Sequence, residues 1–249
     1  MSVRQKRTLV LGASSQGGIG EAVARRLSDD GHSVIVAGRR REPLDRLAAE
    51  ISADVLTCDV TDEDSIAAMF EAAGPLDVAV NTAGTTDVGS IAKIKRERVE
   101  AQFALHVVGN LLFMKHAIAR MGEGGSIVLF SSLTARVPGT GLAAYAGAKA
   151  ALEHIVRIAA LEFGPRGIRV NAVAPGFTRT PMTEAFLADD RIAGIYKNET
   201  ALGRLTEPAQ VASAVAWLAS DDCFTTGETI PVSGGAQLLR LPTGAELRG

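Results

Sequence analysis

The stretch "TLVLGASSQGGIGEAVARRL", residues 8–27, decides the fold of this chain. It starts with a short apolar run, continues through a loop of glycine and serine, and ends in a segment whose apolar residues recur at helical spacing. Gly12, Gly18 and Gly20 would allow the backbone to come close to a pyrophosphate, and a helix N-terminus favours that negative charge. A glycine run alone also fits a tight turn, but its place between a strand and a helix favours a nucleotide-binding loop.

Six further apolar runs follow, and segments with helical spacing lie between them. The runs are "SVIVAG", "DVLTCDV", "LDVAVNTAG", "GSIVLFSS", "IRVNAVAPG" and "ETIPVSGG". Strands that are apolar throughout are typical of a parallel sheet that is covered on both faces. The sequence therefore predicts a single α/β domain over residues 1–249, a Rossmann-type doubly wound parallel sheet of about seven strands with helices on both faces.

Composition and charge narrow the classes of partner. A chain of 249 residues that is 47% hydrophobic can bury one large core, and its net charge of −2 supplies no basic surface for nucleic acid or an anionic membrane. The most apolar stretch, residues 105–119, is too short to cross a bilayer and predicts a buried helix. The N-terminus lacks the pattern of a signal peptide, and the two cysteines suit a reducing compartment. We expect a cytoplasmic protein that binds a small molecule and holds no metal.

The end of the second strand, "VIVAGRRREPL", indicates which dinucleotide is bound. Gly38 stands where an acidic residue would contact the ribose 2′-hydroxyl of NAD, and Arg39 and Arg40 follow it. Pro43 predicts that a helix begins there, and arginines near a helix N-terminus oppose its dipole unless they hold an anion. The residues predict NADP(H) in preference to NAD(H), with a solvated charged patch as the alternative.

A tyrosine and a lysine later in the chain predict the chemistry. Tyr145 and Lys149 lie four residues apart in an alanine-rich segment that should be helical, so they share one face. A nearby ammonium, helped by the positive nicotinamide of an oxidised cofactor, favours the phenolate, and the pair can then act as general acid and base. Ser132, at the end of a strand, can hold a substrate oxygen against the phenol. The alternative is a pair that arises by accident, as on many helices.

These motifs occur in an order that resembles the short-chain dehydrogenase/reductase family, and the resemblance extends from Thr8 to Gly235. The matching elements are the glycine loop, Asp59 of "CDV", "NTAG" at 81–84, Ser132, Tyr145 with Lys149, Asn171, Pro175 with Gly176, and Thr180. The resemblance implies that Ser132, Tyr145 and Lys149 are catalytic residues. It also implies a bound nicotinamide dinucleotide.

The same resemblance implies a set of residues that contact the cofactor. Asp59 and Val60 would meet the adenine, Lys149 would hold the nicotinamide ribose, and Thr178 and Thr180 would contact the carboxamide and pyrophosphate. The full set is Gly12, Ser14, Ser15, Gly18, Ile19, Gly20, Arg39, Arg40, Asp59, Val60, Asn81, Ala83, Gly84, Tyr145, Lys149, Pro175, Gly176, Thr178 and Thr180. Taken singly, several have ordinary alternatives: Asp59 as a helix cap, Asn81 as a turn former, Thr180 as a cap before a proline.

Two departures from the family pattern stand out. Gly12 and Gly18 enclose five residues where the family usually has three, which predicts a longer phosphate loop. His106 occupies the place of the family's catalytic asparagine. We expect His106 to be the fourth catalytic residue, relaying protons through water and titrating near pH 6.5. The alternative is that its side chain only packs in the helix while its backbone carbonyl holds the water.

The combined pattern predicts an NADP-dependent oxidoreductase that interconverts a ketone and a secondary alcohol. Two alternatives stay open. The first is a 3-oxoacyl-[acyl-carrier-protein] reductase-like enzyme, for which Arg136 and Arg166 would form a basic rim, although Ser126 stands where such reductases often carry arginine. The second is a catalytically weak dinucleotide sensor or scaffold of the same fold, which His106 favours.

The walls of the substrate pocket and the oligomeric state are further expectations. Leu133, Thr134, Val137, Leu142 and Phe177 are expected to line the pocket with residues 181–202, which resemble the family's mobile lid. Their apolar character suggests a hydrophobic substrate. The resemblance implies a homotetramer, with helices around 97–121 and 144–163 as buried faces. The apolar stripe of Phe103, Val107, Leu111 and Met114 fits an interface or the core of one chain equally well.

Overall fold

Seven parallel strands form one sheet in the order β3-β2-β1-β4-β5-β6-β7 in the computed structural model of the protein, which describes residues 5–248. The strands are β1 (Arg7–Leu11), β2 (Ser33–Gly38), β3 (Asp54–Thr57), β4 (Leu76–Asn81), β5 (Met121–Phe130), β6 (Arg169–Pro175) and β7 (Thr229–Val232). Each contains one of the seven apolar runs, so the predicted doubly wound sheet is confirmed.

Helices cover both faces of this sheet. They are α1 (Ile19–Asp29), α2 (Arg41–Ile51), α3 (Glu63–Ala73), α4 (Arg96–Phe103), α5 (Gly109–Arg120), α6 (Ala143–Phe163), α7 (Glu184–Leu187), α8 (Asp190–Asn198), α9 (Pro208–Ala219) and α10 (Gly244–Arg248). Strand β1 shows how the layers divide, because successive side chains of a strand point to opposite faces. Leu9 and Leu11 pack in the core beneath α3, α5 and α6, whereas Val10 packs in the core beneath α1, α2 and α9.

The direction of winding reverses between β1 and β4, and this opens a crevice at the carboxyl ends of the strands. Leu11 of β1 pairs with Asn81 of β4, so the residues that follow each strand meet there. Gly12 has φ of +94°, and a Cβ at this position would lie 2.4 Å from Thr82 Oγ1. The closeness of the two loops therefore requires glycine at position 12.

The connection from β4 to β5 contains a π-helical turn, Ala104–Val108, between α4 and α5. Such turns widen a helix locally and occur often at functional sites. The prediction of a buried helix over 105–119 is only half right, because one side of this helix faces outward. Met114 lies in the core, but Phe103 and Leu111 are exposed, so the predicted apolar stripe is divided between core and surface.

Two smaller features of the fold bear on the predictions. Helix α2 begins at Arg41 rather than at Pro43, which is the third residue of its first turn. Cys58 and Cys223 are both buried free thiols. Within residues 5–248, no helix has the length and apolar character to span a membrane. The same residues hold no cluster of three histidine, cysteine or acidic side chains that would bind a metal ion.

Candidate functional site

The structure brings Ser132, Tyr145 and Lys149 together at the carboxyl edge of the sheet. Ser132 follows the end of β5, and the other two lie one turn apart near the start of α6, the residues of which are mostly alanine at this end. The Lys149 ammonium nitrogen lies 5.7 Å from the centroid of the Tyr145 ring. The Ser132 side chain lies near enough to the Tyr145 phenol to lower the pKa of that phenol. The predicted grouping of the three side chains is therefore present.

Ser132 is oriented by its own loop. Its Oγ accepts hydrogen bonds from the Thr134 amide at 3.2 Å and from the Thr134 hydroxyl at 3.0 Å. Since the oxygen accepts two bonds, the hydroxyl hydrogen of Ser132 is free to donate toward the phenol or a substrate oxygen.

A buried carboxylate that sequence reasoning missed ties this loop to α6. Glu153 accepts a hydrogen bond from Ser131 Oγ at 2.8 Å and one from Arg136 Nε at 3.0 Å. It lies one turn beyond Lys149 on the helix. The sequence offered one sign of this role, the helical spacing of Glu153 from Lys149. Ser131 and Arg136 come from a separate loop, so only the fold shows their contact with Glu153. Arg136 is therefore committed to an internal ion pair.

Lys149 is fully buried, and its ammonium donates a hydrogen bond to the Phe130 carbonyl at 2.6 Å. Burial lowers the pKa of Lys149 from 10.5 to about 7. In the part of the chain that the structure describes, no carboxylate pairs with this ammonium to offset the cost of burial. Lys149 is thus poised to gain or lose a proton near neutral pH.

In the protein alone, the phenol of Tyr145 differs from the expectation. Burial raises the pKa of Tyr145, and the nearby Ser132 and Thr86 side chains only partly counteract that effect. Lys149 does not offset it, because burial also disfavours the charged form of Lys149. The expected phenolate requires the positive nicotinamide of an oxidised cofactor as well, and it stays a prediction. Tyr145 is a protonated phenol at neutral pH, which is the form that can donate a proton.

His106 also differs from the expectation. The ring is buried on the π-helical turn, and Nε2 lies 2.9 Å from the Thr85 carbonyl oxygen. A carbonyl only accepts, so Nε2 carries the hydrogen. Burial, and then the positive charge of Lys149, lower the pKa of His106 to about 4. The expected ionisation near pH 6.5 is therefore wrong, and the imidazole is neutral at physiological pH. The backbone carbonyl of His106 accepts a bond from Asn110 at 2.9 Å.

Thr86 is a site residue that the motif reading missed. Its hydroxyl donates a hydrogen bond to the sulfur of Met182 at 3.7 Å, and its side chain lies near enough to the Tyr145 phenol to lower the pKa of that phenol. The "NTAG" motif ends two residues earlier, so only the position of Thr86 shortly after β4 hinted at a place in the crevice. Thr86 and Ser132 thus both lower the pKa of the phenol.

The phosphate end of the crevice is built by α1. Gly18 is the N-cap residue, and glycine supplies no side chain to occupy the first amide groups of the helix. The amides of Ile19 and Gly20 at the start of the helix are therefore open to an anion. Ser14 and Ser15 lie in the preceding loop, in which Ser15 accepts a hydrogen bond from the Gly18 amide at 2.9 Å.

Two arginines lie at the adenosine end. Arg39 and Arg40 are exposed beyond β2, and Arg40 donates a hydrogen bond to the Ser14 carbonyl at 2.6 Å. Hydrogen bonds from Thr61, and secondarily the charge of Arg39, lower the pKa of Asp59. The alternative that Asp59 caps a helix is wrong, because Asp62 caps α3. Val60 beside it is buried.

The remaining predicted contacts lie along the same edge. Asn81 joins the Asn110 side chain and the Ala83 amide by hydrogen bonds of 3.0 Å each, which fixes the start of the groove. Pro175 ends β6, and Gly176 packs against Ser233 so closely that a Cβ would lie 2.8 Å from it. Thr178 is buried, and the Thr180 backbone amide donates a hydrogen bond to Thr183 Oγ1 at 3.0 Å. The edge from β2 to β6 thus fits a dinucleotide, with an open helix N-terminus for its pyrophosphate.

The predicted pocket walls separate into two groups. Leu133 and Val137 pack into a small apolar cluster with Ala236 and do not face open space. Thr134 and Leu142 line a cavity of about 590 Å³ on the outer side of the loop after β5. Phe177 stacks on Tyr196 of α8 with ring centroids 3.7 Å apart. The segment predicted as a lid forms α7 and α8.

A second cavity, of about 560 Å³, lies between the glycine loop and the lid segment. It is lined by Gly17, Thr180 and Pro181, and by residues of α7. The segment 181–202 therefore borders the phosphate end of the crevice. This arrangement of a parallel sheet, an open helix N-terminus and a Ser–Tyr–Lys group defines a dinucleotide-binding oxidoreductase.

Comparisons with known proteins agree. A family model described as Enoyl-(Acyl carrier protein) reductase matches residues 12–237. The chain is 37% identical to cis-4-hydroxycyclohexanecarboxylate dehydrogenase from Sinomonas cyclohexanicum over 93% of this chain and 96% of that protein. It is 34% identical to 3-oxoacyl-[acyl-carrier-protein] reductase FabG from Rickettsia conorii over 92% and 96%. A short-chain type dehydrogenase/reductase from Mycobacterium ulcerans superposes with a TM-score of 0.92 at 31% identity, over 100% of this chain and 99% of the other.

The chain belongs to the short-chain dehydrogenase/reductase family. It is accordingly an NAD(P)-dependent oxidoreductase that acts on CH–OH groups.

We predict that Lys149→Met raises the melting temperature by roughly 5 °C at pH 7, although the change removes a functional group. The folded pKa of Lys149 is lowered, so folding opposes its protonated form. That penalty is complete below about pH 7 and fades as the pH rises to the ordinary lysine value of 10.5. Calorimetry of both proteins from pH 6 to pH 10 should show the difference in melting temperature shrinking as the pH rises. A difference that stays constant or grows would contradict the assigned ionisation.

Proposed function

We propose that this protein is an NADP-dependent oxidoreductase that interconverts a ketone and a secondary alcohol. The observation that carries the proposal is the convergence of Ser132, Tyr145 and Lys149 in the crevice that begins at the open N-terminus of α1. The proposal makes Ser132, Tyr145 and Lys149 the catalytic residues.

A nicotinamide cofactor, when bound in this crevice, would supply or accept the hydride. In the direction of reduction, Tyr145 donates its phenolic proton to the carbonyl oxygen, which becomes the alcohol. Ser132 donates a hydrogen bond to the same oxygen and stabilises its developing negative charge. Lys149 holds the nicotinamide ribose, and its pKa of about 7 lets it return a proton toward the phenol at neutral pH.

The preference for NADP(H) rests on Gly38, Arg39 and Arg40. Position 38 carries no acidic side chain to oppose a 2′-phosphate, and the exposed guanidinium groups of Arg39 and Arg40 would be available to bind one. Arg40 is anchored to the Ser14 carbonyl, which links the 2′-site to the phosphate loop. Arg41 differs, because it pairs with Asp45 of its own helix at 2.8 Å.

We propose a small hydrophobic carbonyl compound or alcohol as the substrate. A carrier-protein substrate is the second candidate, supported by the likeness to the Rickettsia reductase. It would require a free basic rim, yet Arg136 is paired with Glu153 and Arg166 donates to the Met121 carbonyl at 2.6 Å. The Ser126 hydroxyl also donates a hydrogen bond within the protein, to the Leu218 carbonyl. A silent dinucleotide sensor is the third candidate, opposed by the assembled Ser–Tyr–Lys group.

The test of the proposal compares two tyrosine variants. Tyr145→Phe should lower kcat for NADPH-dependent reduction at least about hundredfold, because it removes the proton donor, and should leave NADPH binding nearly unchanged. Tyr196→Phe is the matched control, since Tyr196 is the chain's second tyrosine and keeps its ring stack on Phe177. Steady-state rates over a panel of ketones and an acyl thioester measure both. Turnover of Tyr145→Phe within tenfold of the wild type would refute the catalytic assignment.

A second experiment tests cofactor preference. The double variant Arg39→Ala with Arg40→Ala should weaken NADPH binding at least about tenfold more than NADH binding, because charge-assisted contacts to a phosphate are lost. Arg41→Ala, which breaks only the pair with Asp45, is the control and should affect both cofactors alike. Fluorescence titration gives the dissociation constants. Equal weakening of NADPH and NADH in the double variant would mean that the two arginines form a solvated patch.

We also propose a cytoplasmic homotetramer. Phe103, Val108 and Leu111 are exposed on α4, the π-helical turn and α5, and Leu161 is 80% exposed on α6, so apolar side chains face outward on both helices that the resemblance places at an interface. Light scattering at micromolar concentration should give four times the chain mass, and Leu111→Glu should lower it because a charge cannot be buried there. A monomeric wild type would reject this assembly.

A further inference from the structure

Two buried polar side chains of α6 bond to the residues that end β5 and follow it. Lys149 donates to the Phe130 carbonyl at 2.6 Å, and Ser131 Oγ donates to Glu153 Oε1 at 2.8 Å. Lys149 and Glu153 are four residues apart, so they lie on one face of the helix. These bonds fix that face of α6 against the two residues that come immediately before Ser132.

The second oxygen of Glu153 reaches the far end of the turn that Ser132 begins. Arg136 Nε donates to Glu153 Oε2 at 3.0 Å. Between Ser131 and Arg136 the chain contains only Ser132 and the 3-10 turn Leu133–Ala135. One carboxylate therefore bonds to both residues that flank the serine and its turn.

The two partners of this carboxylate are held differently. The Ser131 amide donates to the Val173 carbonyl of β6 at 2.8 Å, so Ser131 is fixed in the sheet. The Arg136 side chain is 40% exposed, whereas that of Glu153 is 8% exposed. A carboxylate so deeply buried is costly unless its oxygens are bonded, so Glu153 needs both partners. Through Glu153, the end of the turn at Arg136 is tied to a fixed point at Ser131.

The shape of this turn sets the direction of the Ser132 hydroxyl. The Thr134 amide, inside the turn, donates to Ser132 Oγ at 3.2 Å, and the Ala135 amide donates to the Ser132 carbonyl at 3.0 Å. If the turn opened, both bonds would be lost and the hydroxyl would change its position. A shift of about 1 Å in a group that contacts the reacting atoms can lower a rate about a hundredfold.

We propose that Glu153 is a positioning residue that keeps the turn carrying Ser132 closed and fixed against α6, the helix that carries Tyr145 and Lys149. This inference rests on the proposed function and adds a residue to it. Glu153 acts through Ser131 and Arg136, and its hydrogen bonds, more than its charge, perform the task.

Four variants and one control separate this role from simple stability. Glu153→Leu removes both bonds, and Arg136→Met removes the bond at the end of the turn. Glu153→Gln keeps both, because its amide oxygen can accept from Arg136 while its amide nitrogen donates to Ser131 Oγ. The fourth is the double variant Glu153→Leu with Arg136→Met, in which no charge of the pair is left alone.

Ser126→Ala is the matched control. Ser126 is also a buried serine, but it lies within β5 and donates to the Leu218 carbonyl of α9 at 2.9 Å, not to α6. Its loss should lower the melting temperature and leave kcat within about twofold of the parent protein, since it removes a buried hydrogen bond away from the turn.

The first readout is hydrogen exchange followed by mass spectrometry, which needs neither substrate nor cofactor. The amides of residues 135–137 donate to the Ser132 and Leu133 carbonyls, so they report whether the turn is closed. Their exchange should become at least about tenfold faster in Glu153→Leu and in Arg136→Met, and stay within about threefold of the parent in Glu153→Gln. Residues 8–11 of β1 should exchange alike in all of these proteins.

The second readout is kinetic. Glu153→Leu and Arg136→Met should each lower kcat for ketone reduction about tenfold, with KM and the NADPH dissociation constant within about threefold. The double variant should be no slower than Glu153→Leu, because both changes break one interaction. It should also regain melting temperature relative to Glu153→Leu or Arg136→Met, since apolar side chains can replace a buried ion pair without loss of stability. Its kcat should stay low.

Three results would overturn the proposal: unchanged exchange at residues 135–137 in both Glu153→Leu and Arg136→Met, Glu153→Gln behaving like Glu153→Leu, or recovery of kcat together with melting temperature in the double variant. If Glu153→Leu does not fold, Arg136→Met provides the same test, because its side chain is partly exposed. If Tyr145→Phe proved fully active, the proposed function would fail, whereas the exchange rates would still decide whether Glu153 holds the turn.

Discussion

Everything functional in this chain depends on the close contact between the loops that follow β1 and β4. The two strands are neighbours in the sheet, but the chain leaves them in opposite directions, so a crevice opens where they end. The backbone at Gly12 lies against Thr82, and the Thr82 amide donates to the Leu11 carbonyl at 2.9 Å. Any side chain at position 12 would push the loops apart. The anion site on α1 and the segment carrying Thr86 would then separate.

The second constraint is the burial of charge in that crevice. Lys149 is surrounded by protein and bonded to a carbonyl, which lowers its pKa to about 7, and its residual charge helps to keep His106 neutral. The same burial keeps Tyr145 protonated. Burial thus shifts the pKa of all three groups, and the charge of Lys149 adds to the shift of His106. Such an arrangement lowers stability, so its presence is explained by chemistry rather than by folding.

The sequence predicted the fold because the strands of a covered parallel sheet must be apolar along their whole length, and each of the seven runs from "TLVLGA" to "ETIPVSGG" is a strand. It also predicted the meeting of Ser132, Tyr145 and Lys149, through helical spacing and family order. The sequence did not predict Thr86 and Glu153 as site residues, because their partners are distant in sequence. Thr86 lies near Tyr145, and Glu153 bonds to Arg136. The pKa shifts of Tyr145 and His106 were not predicted for a related reason, because the surrounding fold, and not the residue type, determines how deeply a side chain is buried.

The longer glycine loop shows how this chain accommodates a departure from its family. Gln16 and Gly17 are exposed, and the Gly17 amide donates to Glu21 at 2.7 Å, so the lengthened part of the loop is closed by the helix that follows it. A carboxylate so near an anion site would oppose a pyrophosphate, but Arg25 bonds to Glu21 at 2.7 Å and offsets its charge. The amide of Gly17 is thereby engaged by the protein, while those at the start of α1 keep the anion site. The loop can lengthen without moving the helix N-terminus, because the extra residues are held from outside the crevice.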